Sequence, residues 1–293
     1  MKPCCVLPFA CAVFFATFLL AQARLPASTE ALRATQSRLR VLTQTDLAEI
    51  SSKAESGDKK AQYWLALLYQ EGDLIPRDLT AAHKWMLKSA EQGYAPAQTG
   101  IGQTYLPQGK PPELGAGEYG EADRWLRLAA TQGDAEAQFL LGTGYEQGWF
   151  GGTDYSEALR WLRKAAQQGL PVAQFCLGQR YEDGDGVPES DVVAARWYRR
   201  AADHSPTYLM GIWEAVAHLA DMYRNDRLPK DDIQAYMWFA ILGSSSNPPS
   251  DGGDLKKISR RMSKPQIIEA QHRTQDWIKR HPFETQTLAQ AKK

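Results

Sequence analysis

Apolar and small residues recur along this chain at three-, four- and seven-residue intervals, in stretches that each open with the same two letters. The pairs Ala61-Gln62, Ala97-Gln98, Ala137-Gln138 and Ala173-Gln174 lead to Leu65-Ala66, Ile101-Gly102, Leu141-Gly142 and Leu177-Gly178. Each stretch closes on Tyr69, Tyr105, Tyr145 or Tyr181, seven residues after the Gln. That spacing places the apolar positions on one face of a helix. A small residue after the aliphatic one lets a second helix approach closely. Glu71-Gly72, Gln147-Gly148 and Asp183-Gly184 then supply a glycine where a helix stops in the left-handed conformation.

A second helix follows in every unit. Ala82, Ala122, Ala158, Ala194 and Ala235 each stand three residues before Trp85, Trp125, Trp161, Trp197 and Trp238. A small and a large residue one turn apart make a hole and a ridge for packing on the first helix. Asp78, Asp154, Ser190 and Asp231 lie seven residues before their Trp, at the N-cap position. The Gln positions are 36, 40 and 36 residues apart, a period that indicates a helical repeat array instead of a single-core enzyme.

The fifth unit is degenerate but in phase. It keeps Ala215, Leu219-Ala220, Tyr223, Ala235 and Trp238, while Val216 stands at the Gln position and the closing glycine is displaced to Gly243. Asp46 to Gly57 reads as an orphan second helix ahead of the first unit. Ser263-Lys264-Pro265-Gln266 reads as a capping-box start whose helix runs to about Lys279, with Ile267, Ile268, Ala270 and Trp277 covering the last unit. The expected organisation is a signal peptide at 1–23, N-terminal capping helices at 24–56 and repeats at 57–92, 93–132, 133–168 and 169–209. A degenerate repeat follows at 210–246, then a C-terminal loop and capping helix at 247–293.

The combined pattern, A-x-x-A-Q-x-x-L-G-x-x-Y-x-x-G followed by D-x-x-x-A-x-x-W-x-x-x-A-A-x-x-G, resembles the Sel-one-like repeat family, a relative of the tetratricopeptide repeats. The match is fullest over Ala137 to Gly169 and Ala173 to Ala202, and the resemblance covers about residues 45–280. It implies an all-α, α/α right-handed superhelical solenoid of about five helix-turn-helix repeats, used as an adaptor or scaffold and often exported in bacteria.

Charge and leader sharpen that expectation. Lys+Arg and Asp+Glu number 34 each, so no global field draws the chain to nucleic acid. The first residues have a short positive start, an apolar run from Val6 to Leu20, and Ala21-Gln22-Ala23. This reads as a secretory signal peptide cleaved after Ala23, giving a secreted or periplasmic protein with no stable membrane span. Cys4, Cys5 and Cys11 fall in the leader; only Cys176 remains, so no intramolecular disulfide forms in the mature chain.

Candidate chemistry is sparse. The histidines His83, His204, His218, His272 and His281 show no i,i+4 pair, and no H-E-x-x-H, G-x-S-x-G or P-loop motif occurs. Gly142-Thr143-Gly144 is explained by repeat register. Asp183-Gly184-Asp185-Gly186 lacks the third acidic position and the Glu that a calcium loop requires. The chain is therefore read as a non-enzyme, with no cofactor and no metal. Positions one and five after each Gln share a helix face, and by resemblance to tetratricopeptide arrays this stripe lines a concave groove. It holds Tyr63 and Leu67, Thr99 and Gln103, Phe139 and Thr143, Phe175 and Gln179. Tyr63, Phe139 and Phe175 are candidate aromatic anchors for a protein or peptide partner, with Glu146 and Glu182 as an acidic rim. The competing reading is that these aromatics pack between units. A cell-wall-acting or ligand-binding repeat protein, and a purely structural envelope scaffold, are the alternatives to an adaptor. The insertion from Leu106 to Gly120 is either a partner-specific finger or slack.

Overall fold

The computed structural model describes residues 43–106, 116–203, 212–244 and 252–281. The leader, with its proposed cleavage site, lies outside the described residues, as do 107–115 of the insertion. All regular structure among the described residues is α-helical. The chain divides into two compact units, residues 2–165 and 166–293.

The first unit holds α1 (Gln44–Glu55), α2 (Lys59–Glu71), α3 (Leu79–Glu91), α4 (Ala95–Thr104), α5 (Ala116–Thr131), α6 (Ala135–Gln147) and most of α7 (Tyr155–Gln167). Thr43 and Asp46 form a capping box that starts α1. Asp58, Asp78 and Asp134 cap α2, α3 and α6 by accepting backbone N–H bonds, and Asp154 accepts from Ser156 and Glu157 at the start of α7. Each satisfies donors that the first turn of a helix leaves free. At the far ends, Gly72 and Gly148 adopt the left-handed conformation and return their N–H to Leu68 and Gly144. The following turn is closed by the next N-cap: Asp78 N–H donates to the Tyr69 carbonyl and Asp154 N–H to that of Tyr145. The insertion is shorter than its sequence suggests, because from Ala116 onward it is already α5.

Two details explain the recurring letters. The Gln side chain ties three helices together. Gln62, Gln98 and Gln138 donate from Nε2 to the carbonyls of Ala54, Ala90 and Ala130, each near the end of the preceding helix. Gln62 and Gln98 then accept from Gln92 and Gln132, just past the second helix of the same repeat, at 2.7 Å. The residue four after the Gln is the crossing point. A Cβ at Gly102 would lie 2.7 Å from Leu126 Cγ, and one at Gly142 would lie 2.7 Å from Leu162 Cγ and 3.1 Å from the Ala158 carbonyl oxygen. The aliphatic and Trp positions fill the cores around Leu67, Leu68 and Ile101 and around Leu126, Leu141 and Trp161.

The second unit continues with α8 (Pro171–Asp183), α9 (Asp191–Ala202), α10 (Ile212–Arg224), α11 (Asp232–Ser244), α12 (Gly252–Ser259) and α13 (Lys264–Arg280). Gly184 stops α8, Ser190 caps α9, and Ser263 with Gln266 forms a capping box on α13. Gln174 donates to the Ala166 carbonyl, and the crossing residue Gly178 lies against Tyr198. One apolar core runs from Ala194 through Trp238 to Trp277. Ala270 and Trp277 cover it as the pattern implies and Ile267 packs beside them, but Ile268 is 66% exposed because it falls on the outer face of α13.

Candidate functional site

The candidate residues separate by burial. Tyr63 and Leu67 lie inside the first unit's core, where the Tyr63 ring meets Tyr94 edge-on at 5.3 Å and burial pushes its phenol up. For these two positions, packing accounts for the residue. Glu146 is 1% exposed, so its carboxylate faces the interior and forms no solvent rim. Gln103 is half-buried and donates to Glu136 at 2.8 Å, while Thr99 donates to Asp134. Phe139 stays half-buried in the first unit, and Phe175 and Gln179 stay half-buried on α8 of the second.

Around Phe175 the second unit assembles a group that the sequence spacing did not bring together. Phe175 packs against Tyr198 of α9 and meets His218 of α10 edge-on, with ring centroids 5.6 and 5.4 Å away. Glu182, two turns along α8, is the hub. Its Oε2 accepts from Tyr198 at 2.5 Å and from His218 Nδ1 at 2.8 Å, and its Oε1 accepts from Arg227 at 2.5 Å. Arg227 also holds Asp191 through two guanidinium nitrogens.

Burial pushes the Glu182 carboxyl upward, but the hydrogen bonds from His218, Tyr198 and Arg227 and the charge on His218 outweigh it. The net result holds its pKa down at about 2. Burial and the facing Glu182 charge push the Tyr198 phenol far up, so it stays a donor to that carboxylate. With Glu182 ionised and accepting only, His218 Nδ1 is the donor in their bond; the His218 side chain is 35% exposed.

Nothing in this arrangement pairs a nucleophile with a base. No group of three or more His, Cys, Asp or Glu side chains able to hold a metal ion occurs among the described residues. The Asp183-to-Gly186 run is the turn after α8, with Asp185 N–H closing onto the Arg180 carbonyl. Cys176 is buried on α8. No helix among the described residues is long and apolar enough to cross a membrane.

Sequence reasoning missed Tyr198, His218, Arg227 and Asp191. Two departures from the repeat pattern mark the place: Val216 stands where the other units have Gln, and Asp226 stands three residues after Tyr223, where Gly72, Gly148 and Gly184 stand in theirs.

Comparison with known proteins follows this geometry. The family pattern described as Sel1 repeat matches residues 59–94, 119–134, 135–170, 171–206 and 213–242, together more than half of the chain. The second match covers only α5 from Tyr119 and the turn after it, since the insertion separates it from α4. A Sel1 repeat protein from Oxalobacter formigenes is 26% identical, with 82% of this chain and 92% of that one aligned at a TM-score of 0.56. The c5321 protein of uropathogenic Escherichia coli, described as a protective antigen displaying an SLR fold, is 26% identical at a TM-score of 0.47. That alignment covers 83% of this chain but spans only 57% of the length of the E. coli protein. No curated protein sequence matches the chain.

Proposed function

The chain belongs to the Sel1 repeat family, and on that premise we propose that it is an exported, non-catalytic adaptor that binds a protein or peptide segment. The observation that supports this is the Phe175 patch. The half-buried Phe175 ring packs against Tyr198 and His218, and the ionised Glu182 fixes both of those side chains by accepting their hydrogen bonds. A rigid aromatic beside an oriented polar group is the surface type that concentrates binding energy, because little freedom is lost on docking. Gln179 on the same helix face extends this patch. Phe139 and Gln103 are candidate contacts on the first unit taken by itself, where the buried Tyr63, Leu67 and Glu146 serve the fold. Export rests on the composition of the first 23 residues.

The test is capture from an envelope extract by the tagged mature protein and by its Phe175→Ala and Phe139→Ala variants, each checked by thermal melting. A stoichiometric partner that is lost by the variants while they remain folded supports the proposal. A partner retained equally by both variants removes these rings from the interface, and no partner at all refutes the adaptor. Sequencing the exported protein tests the leader: an N-terminus at Arg24 is expected.

A further inference from the structure

The junctions between repeats are not all built alike. In the first unit the repeat glutamine ties each joint: Gln98 and Gln138 donate to the Ala90 and Ala130 carbonyls of the repeat before, and between repeats two and three Asp123 and Arg127 also bond Tyr145. The fifth repeat cannot make that tie. Val216, buried at the Gln position, has neither donor nor acceptor on its side chain.

What stands there instead is charged. Arg227, in the turn between α10 and α11, reaches back to Glu182 at the end of α8 and to Asp191 at the start of α9. His218 of α10 adds a second bond to Glu182, and Arg199 of α9 donates to Tyr223 of α10 at 2.6 Å. The Glu182 side chain is 13% exposed, but Arg227 and Asp191 keep 29% and 26% of theirs, so the charged contacts stay within reach of solvent ions.

The backbone that carries Arg227 is under strain. Asp226 has φ 53°, the one non-glycine residue at positive φ among those described. At the matching position the other turns use Gly72, Gly148 and Gly184. A Cβ-bearing residue in that region costs about 1 kcal/mol relative to glycine. Strain in this turn persists because something beside it holds the turn in place, and the guanidinium fork one residue on is the group positioned to do so.

We propose that Arg227 is an electrostatic clasp that replaces the missing glutamine tie, holding the strained turn and the C-terminal half of α10 onto α8 and α9 and thereby fixing His218 beside Phe175. The joint between repeats four and five is then more responsive to ionic strength than the joint between repeats one and two, which is tied through Gln98 and the Ala90 carbonyl. The consequence for partner capture rests on the adaptor reading; the clasp itself is a property of the free protein.

The experiment is amide hydrogen exchange on the mature protein, wild type against Arg227→Met, which keeps most of the stem and removes the charge. Amides of residues 219–231 are expected to exchange at least about tenfold faster in the variant, with those of α2 to α6 unchanged. In wild type, raising salt from about 0.05 to 0.5 M is expected to accelerate the same amides selectively. Asp226→Gly in the Arg227→Met background relieves the turn and slows their exchange again. Exchange at 219–231 that stays within about twofold of wild type in Arg227→Met overturns the clasp. If Arg227→Met does not fold, a salt response in wild type no greater at 219–231 than at α2 to α4 overturns it equally. Neither readout needs a partner, so loss of the adaptor reading leaves this result standing.

Discussion

Replacing Gly142 by Ala puts the repeat's crossing geometry to a quantitative test. Gly142 lies mid-helix in α6, where an alanine would ordinarily stabilise by about 1 kcal/mol through helix propensity alone. The structure predicts the opposite sign. The added methyl would sit 2.7 Å from Leu162 Cγ and 3.1 Å from both Leu162 Cδ2 and the Ala158 carbonyl oxygen. Leu162 is fully buried and the carbonyl belongs to the backbone of α7, so neither gives way without moving a helix. Overpacking of this kind costs about 1–3 kcal/mol, and more where backbone must shift.

The overpacking here comes to about 2–3 kcal/mol, because a backbone carbonyl must move. With the propensity gain of about 1 kcal/mol set against it, the net expectation for Gly142→Ala is a loss of about 1–2 kcal/mol, read as a lowered urea midpoint at unchanged slope. The first repeat suggests the rescue. There Ala66 occupies the crossing position and the residue after the Trp is the unbranched Met86, where later units have Leu126, Leu162 and Tyr198. Leu162→Met alone should change stability by less than about 1.5 kcal/mol, and combined with Gly142→Ala it should recover at least half of the loss. A Gly142→Ala protein as stable as wild type, or more stable, would refute the argument that this glycine is there for close approach.

Two further outcomes are expected. Glu182 has its carboxyl pKa depressed to about 2, so its stabilising contribution is present above the ordinary carboxylate range and is lost as pH falls from about 4.5 toward 2. The shift corresponds to at most about 3 kcal/mol, discounted to about 2 for residual solvent screening. Unfolding at pH 7 and pH 2 should therefore separate wild type from Glu182→Gln at the higher pH and nearly close the gap at the lower; a constant gap contradicts the linkage. Gln98→Leu keeps the volume but removes one bond to the Ala90 carbonyl, which keeps Gly93 N–H, and one from Gln132, which keeps the Leu128 carbonyl, for a loss of about 1 kcal/mol in chemical unfolding. A neutral result would show the tie to be dispensable.

Much of the fold was legible before any coordinates. Glycine just past Glu71, Gln147 and Asp183, an oxygen-bearing residue seven before the Trp, and the Ser263-to-Gln266 box are local signals, and short-range backbone hydrogen bonding obeys them wherever they occur. The site was legible only in part. Tyr63, Phe139 and Phe175 occupy one register position, yet Tyr63 is interior while the other two keep part of their surface exposed. Register says which way a residue points from its own helix, not how deeply the neighbouring helices cover it.

Sequence by itself determined an all-α chain of helix pairs with a fixed repeat, because capping, helix stops and 3.6-residue periodicity act over a few residues. Tertiary structure alone decided why the Ala-Gln letters recur, since the glutamine answers a carbonyl eight residues back and an amide some thirty ahead. It alone brought Glu182, Tyr198, His218, Arg227 and Asp191 into one network. Those residues come from three helices and a turn, and the bonds joining them depend on distances through space that no spacing along the chain encodes.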